Sequence, residues 1–408
     1  MHSPEAFPKP PPAPPGIRPL HMDPNLHVVF SVTLTAMLAV SAVAPAFPDV
    51  ARALDVTPEA VGLLITVFTL PGIFLTPVLG ILADRYGRKQ VLVPALILFA
   101  LAGSACSLAR SFEVLLALRF LQGVGAASLG SLNVTIMGDL FRGRALTTAM
   151  GYNASVLSLG TAAYPAIGGA LALVGWYVPF ALPILGLATA GAVLFRLETV
   201  QVPRTADLRP YLREALRGMG TRKVVGLLLV TLLTFVVLYG AYTTFIPLHL
   251  SARFDSSSFG IGLIMTVGSL STAITASRLG LLSRYISQER LIHLGFALYG
   301  LSFVVIPWLP GHWWVAVPVA LFGVAQGLNY PCVLALLAGL APTEHRGIFM
   351  SANSMALWTG QTLGPLVMAG AYGLWGMDGV FLAAAGICMA VAGLIPFMIG
   401  VGGKEQTG

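Results

Sequence analysis

The sequence predicts an all-α polytopic membrane protein, with twelve transmembrane helices in two pseudo-symmetric six-helix bundles. Three observations predict it. Apolar runs of about 20 residues, the length that crosses a bilayer as a helix, recur along nearly the whole chain. Of 408 residues, 56% are hydrophobic and only 10% charged, with a mean hydropathy of +0.84, well beyond a water-soluble globular protein. Finally, motifs of the first half return in the second about 200 residues later. Alternating ten-residue strand patterns are absent, which argues against a β-barrel.

Residues 1–24 ("MHSPEAFPKPPPAPPGIRPLHMDP") are proline-rich and are expected to form a disordered cytoplasmic tail. The first bundle is expected over 25–195, with spans at 26–48, 59–81, 90–109, 112–139, 146–172 and 176–195. In the first span Ala42-Val43-Ala44 mimics a leader-cleavage site, but the apolar stretch is too long and Pro45 would follow the cut, so the helix is expected to stay uncleaved. Residues 196–223 form the longest internal break, a cytoplasmic linker in which Leu208 to Met219 has the pattern of a short surface helix. Spans at 224–248, 259–281, 291–309, 314–340, 348–374 and 379–401 make the second bundle, 224–401, before a tail at 402–408. Cys106, Cys332 and Cys388 all lie in apolar segments and read as packing residues.

Charge orients the spans. With both termini cytoplasmic, Arg52, Arg110 and Arg253 are the bases of the outer loops and Arg119 falls inside a span, leaving 19 of the 23 Lys and Arg on the inner side. The net charge of +7 then reflects topology signals facing an anionic lipid leaflet, rather than a nucleic-acid surface.

The repeat pairs "LDVTPEAVGLL" (Leu54 to Leu64) with "FDSSSFGIGLI" (Phe254 to Ile264), sharing Asp55/Asp255, Gly62/Gly262 and Leu63/Leu263. It also pairs "MGYNASVLSLGTAAYP" (Met150 to Pro165) with "MSANSMALWTGQTLGP" (Met350 to Pro365), sharing Asn153/Asn353, Gly160/Gly360 and Pro165/Pro365, and Gln122-Gly123 has a partner in Gln326-Gly327. Two parallel six-helix copies imply a pseudo-twofold axis along the membrane normal and a cavity between them.

Between spans two and three stands "GILADRYGRK", dense in charge for so apolar a chain. Gly80, Leu82, Asp84, Arg85, Gly87, Arg88 and Lys89 match the loop signature G-x-L-x-D-R-x-G-R-K/R, so the chain resembles the major facilitator superfamily over essentially its whole membrane domain. The second-half loop "GLLSRYISQER" is degenerate, with Arg284 where Asp84 aligns. Gly80 suits a close backbone approach and Gly87 a tight turn, while Asp84 suits the exposed amides of a helix N-terminus. The resemblance implies that this N-terminus is that of span eleven, near Arg346 to Ser351, with Arg142 or Arg144 adding a base to a cytoplasmic gate.

In span four, Leu115, Arg119, Gln122, Gly123, Gly125, Ala126 and Ala127 match a second family signature. Arg119, Gln122 and Asn133 fall on roughly one helical stripe, and a charge so placed is expected to face a water-filled cavity or a partner, with snorkelling as the alternative. The resemblance implies a role in proton coupling. In span five, Gly151, Gly160, Pro165, Gly168 and Gly169 resemble the exporter signature of the drug and metabolite antiporters, with Tyr164 in place of a glycine that the repeat copy keeps as Gly364-Pro365. Such small residues are expected to pack helices closely.

Asn153, Tyr239, Tyr242, Gln326, Asn329, Asn353, Trp358 and Gln361 lie in spans whose family counterparts line the cavity, and about half are expected to be structural. Tyr239 with Tyr242, and Gln326 with Asn329, have the spacing of same-face pairs. An apolar and aromatic lining with neutral hydrogen-bonding groups suits a lipophilic or amphipathic small molecule. Span one holds no acid, so proton antiport rests on the resemblance, with Arg119 and Asp49 as candidates. An uncoupled or specific metabolite transporter is the alternative, and a membrane sensor would need a soluble domain that the short tails do not provide. No metal-ligand cluster, nucleophile triad or phosphate loop is apparent, so no enzyme, metal site or cofactor is expected. The expected partners are a small-molecule substrate, protons and membrane lipid. The chain is expected to be a monomer in a bacterial inner membrane.

Overall fold

The computed structural model describes residues 20–198, 220–341 and 346–400. Most of the proline-rich tail, the surface helix expected at 208–219 and the residues after 400 lie outside them. The first bundle comprises α1 (Pro24–Ala53), α2 (Pro58–Tyr86), α3 (Arg88–Leu108), α4 (Phe112–Leu140), α5 (Gly143–Ala172) and α6 (Val178–Arg196). The second comprises α7 (Arg222–Phe254), α8 (Ser258–Leu282), α9 (Gln288–Trp308), α10 (His312–Leu340), α11 (346–375) and α12 (377–399). α11 and α12 run into one another at Gly376, whose φ of 69° breaks the helical path and which a side chain would strain. The last two expected spans are therefore two helices joined by a single residue.

The helix ends follow local chemistry. Asp23 caps α1, accepting from the Asn25 amide at 2.8 Å, and Pro24 takes the first helical position, where no amide is missed. The expected tail 1–24 is thus corrected at its end, where Leu20–Met22 form a turn leading into the cap. Ser111, Ser257 and Ser287 cap α4, α8 and α9 through their hydroxyls. Gly87, at φ 106°, makes the sharp turn between α2 and α3. Asp55 and Asp255, paired in the repeat, both close their helices in the left-handed region, at φ 50° and 48°, which Asp tolerates better than most residues.

Neither α1 nor α7 is uniform. α1 tightens into a 3-10 turn at Ala44–Ala46, and α7 widens into a π-helical stretch at Leu238–Phe245. In that stretch Thr243 and Thr244 hydroxyls donate to the Leu238 and Tyr239 carbonyls, five residues back, at 2.8 and 2.7 Å.

The bundle has two chemically distinct ends. Trp176, Trp308, Trp313, Trp314 and Trp375 stand at one end, at the α5–α6, α9–α10 and α11–α12 connections, as expected where indoles meet a membrane interface. The Gly80–Lys89 link, Arg142, Arg144, Arg284 and Arg290 stand at the other. These are called the tryptophan end and the basic end below.

Candidate functional site

The site is built by the seam between the bundles. Near the tryptophan end the halves touch backbone to backbone. A Cβ on Gly62 of α2 would lie 2.9 Å from Pro365 Cβ of α11, and one on Gly262 of α8 would run into the Pro165 carbonyl of α5. These four positions are the repeat pairs Gly62/Gly262 and Pro165/Pro365, meeting crosswise, as a twofold axis between two copies requires. Gly169 similarly admits Ser258 and Phe259, with Phe259 Cα 3.0 Å from its would-be Cβ. Asp49 joins the seam by accepting from the Ser258 hydroxyl while pairing with Arg52 at 2.6 Å.

Deeper along α2 and α11, Thr66 donates to the Thr362 carbonyl at 3.0 Å, and the Thr69 and Thr362 hydroxyls lie 2.8 Å apart, all three being buried. The next rung sets the indole of Trp358 directly on Gly72, whose would-be Cβ would come within 2.6 Å of Cε2. Beyond that rung no hydrogen bond or ion pair joins the halves among the described residues. Gly80, Gly143, Gly151, Gly280 and Gly347, all toward the basic end, have open space around their would-be side chains. The close approach expected at Gly80 and the helix packing expected at Gly151 are therefore not formed. Gly160, Gly168 and Gly364 do pack tightly, against Leu34, the Ala42 carbonyl and the Val236 carbonyl within their own halves.

At the basic end Arg88, whose side chain is 13% exposed, bridges Asp84 and Asp139, with Nε 3.1 Å from Asp139. It ties the α2–α3 turn to the end of α4 in its own bundle. Asp84 is 51% exposed and turned toward Arg88, and Arg142 and Arg144 are exposed. Among the described residues the expected contact of Asp84 with the start of α11 is not made; its carboxylate pairs with Arg88 instead. Arg85 lies over Tyr86 at 5.7 Å, and Lys89 donates to the Leu197 carbonyl at 3.2 Å.

Arg119 faces neither a cavity nor the membrane interface; it is completely buried between α1, α2 and α4. Nε donates to the Leu64 carbonyl at 3.1 Å, and Nη1 to the Ala39 carbonyl at 2.8 Å and Gln122 Oε1 at 3.0 Å. Its guanidinium lies 4.7 Å from the Phe68 ring centre, leaving Nη2 and Gln122 Nε2 without protein partners. Carbonyl dipoles and an aromatic face thus take the place of water around this charge. Asn133 does not join that stripe, because α4 is interrupted at Ala127–Ser128, and it donates instead to Thr33 at 2.6 Å.

Most expected cavity amides stitch helices within a half. Thr33 donates to Asn153 at 2.6 Å and Thr231 to Asn353 at 2.7 Å, the same bond in each copy of the repeat. Asn329, fully buried, donates to Thr234 at 2.7 Å, and Gln326 accepts from Tyr299. Tyr242 is buried on Phe322, ring centres 4.4 Å apart, with its hydroxyl 3.3 Å from the Met265 carbonyl. Tyr239 departs from that face because the wide π-helical turn between them breaks the three-residue spacing; it stays partly exposed beside Phe235. Gln361 is buried one turn from Trp358. The two Thr–Thr362 contacts, Gly72 and the Asp139 bridge were not singled out in advance. Gly62 and Gly262 carried a signal, as repeat pairs, but the threonines look like any others in an apolar helix.

Twelve membrane-length helices among the described residues, in two crosswise-matched bundles, have the architecture of a membrane transporter. The chain belongs to the Major Facilitator Superfamily, whose model matches residues 29–260 and 246–406. It is similar to the bacillibactin exporter of Bacillus subtilis, 27% identical over 363 residues covering 85% of this chain and 89% of the relative. It is equally similar to the multidrug resistance protein MdtG of Enterobacter lignolyticus, 27% identical with 90% of each chain covered. Among solved structures, the human organic anion transporter MFSD10 superposes with a TM-score of 0.69 at 21% identity, covering 93% of this chain and all of that one. A bacterial homologue of the lysosomal transporter Spinster gives 0.77 at 14% identity, with 94% and 97% covered.

Proposed function

We propose that this protein exports small lipophilic or amphipathic compounds across a bacterial inner membrane by alternating access driven by proton antiport. The observation that carries the reading is the one-sided seam. Its polar contacts are two threonine bonds worth only about 1 kcal/mol each, and its closest approaches are glycine against backbone, within an apolar core that both halves share. The positive-inside bias supports placing the basic end in the cytoplasm, so the conformation described is open to the inside. When that end closes, Asp84 is released toward the start of α11, and the Arg88–Asp139 bridge holds the loop that presents it. The exporter-like glycines of α5 and the multidrug and siderophore exporters among the relatives support the outward direction.

Everted vesicles test this directly. Lipophilic cations should accumulate only when a pH gradient is imposed, and sugars should not. Gradient-independent movement would remove proton antiport, and movement of sugars alone would remove the substrate class. The similarity to a bacillibactin exporter favours a second reading, transport of one specific small metabolite, and in that case a broad panel of lipophilic cations would stay outside.

A further inference from the structure

We propose that Trp358 forms the apex of the substrate cleft and is a specificity-determining residue, an indole platform that selects planar aromatic compounds. The proposal rests on the export reading and names a substrate chemistry for it. Trp358 is the last rung of the α2–α11 seam: Pro365 meets Gly62, Thr362 meets Thr66 and Thr69, and the indole meets Gly72, after which Gly80 faces open space. The half-buried ring packs against the core of the opposite bundle and leaves part of its surface exposed. Gly72 makes the seat possible, because any side chain there would occupy the ring position.

Symmetry singles the residue out. At the equivalent repeat position the first half carries Ser158, so closure of the twofold seam does not demand an aromatic group here. The other five tryptophans stand at the tryptophan end, where interface anchoring accounts for them; Trp358 alone lies near mid-membrane. An aromatic cluster packs on a different face of α11, the one on which Gly360 lies. Phe235 Cβ lies 2.8 Å from the would-be Cβ of Gly360, and its ring meets Tyr330 edge to face at 5.2 Å and Tyr239 at 6.1 Å. Offset stacking on the exposed part of the indole rewards flat π-systems over saturated bodies of similar size. Because the Gly72 seat exists only while the tryptophan end is closed, rocking of the halves would uncover the platform's back and release the ligand.

The test uses the full-length protein in nanodiscs and proteoliposomes, with ethidium, rhodamine 6G and Hoechst 33342 as planar probes and deoxycholate as a saturated comparator. At least one planar probe should quench a tryptophan signal that Trp358→Phe removes. Its affinity should fall about three- to tenfold in Trp358→Ala, with Trp358→Phe intermediate and deoxycholate unchanged. Gly72→Ala should weaken the planar probe in the wild-type background but have no further effect on Trp358→Ala, the signature of direct coupling. Equal losses for planar and saturated probes, or planar binding unaffected by Trp358→Ala, would overturn the proposal. So would a wild-type protein that transports deoxycholate but binds no planar probe, which leaves export standing. A wild type that binds planar probes through Trp358 but moves none of them would instead sink the export reading alone.

Discussion

Arg119 shows how a single charge is housed in an apolar bundle. Two carbonyls and Gln122 take its protons and Phe68 lies against its face. Replacing it by Ala removes three hydrogen bonds and empties a completely buried site, so the melting temperature of the purified protein should fall by several degrees along with transport. A variant that melts like the wild type would show that water replaces the side chain there. Asp84 is the opposite case. Half-exposed and paired only locally, it contributes at most about 1 kcal/mol to stability, so Asp84→Asn should insert and melt normally. If Asp84→Asn also transports at the wild-type rate, the gate proposed at the basic end has no part in the cycle.

At the scale of helices, close packing is concentrated where glycine meets a carbonyl or a proline. Gly62→Val and Gly262→Val should each loosen the tryptophan end, since overpacking a tight contact costs about 1–3 kcal/mol. Labelling of Ser258→Cys by a membrane-impermeant maleimide reads this out, and should accelerate in both variants; equal labelling would mean the seam relaxes around the new side chains. Spans, turns and caps were legible in the sequence because hydropathy and capping act locally. The partners of Asn133, Asn329 and Gln326 were not. Helical spacing says which residues share a stripe, but the break at Ala127–Ser128 and the wide turn in α7 reset the stripe, and neither has a strong sequence signal. Asp84 and Arg88 were legible as a motif, yet the Arg88–Asp139 bridge depends on the end of α4 lying beside the α2–α3 turn, which spacing does not reveal.

For the whole molecule, the proposed cycle has the two bundles rock about the seam at the tryptophan end. Cross-linking that end should arrest the cycle. Asp49→Cys with Ser258→Cys replaces a side-chain contact across the halves, so oxidation should abolish transport in proteoliposomes and a reductant should restore it. The native cysteines are buried and supply little background. Persistent transport after complete cross-linking would show that the tryptophan end need not open. The internal repeat made this architecture readable from the chain alone, because Gly62/Gly262 and Pro165/Pro365 are the positions where two copies of one surface must touch. The end at which the halves meet in this structure leaves no such mark in sequence.

The unequal windings of α1 and α7 resolve a mismatch of length. From Thr33 to Asp55 the chain advances 22 residues, while its copy from Thr231 to Asp255 takes 24, although both stretches run from a threonine–asparagine bond to a left-handed helix end. A 3-10 turn climbs about 2.0 Å per residue against about 1.5 Å in an α-helix, and a π-turn packs more residues into each turn. The stretched winding at Ala44–Ala46 and the compressed winding at Leu238–Phe245 let two chains of different length cover one bilayer thickness. Duplicated genes that drift by insertion can thus keep their halves level, storing the surplus as pitch rather than as a bulging loop.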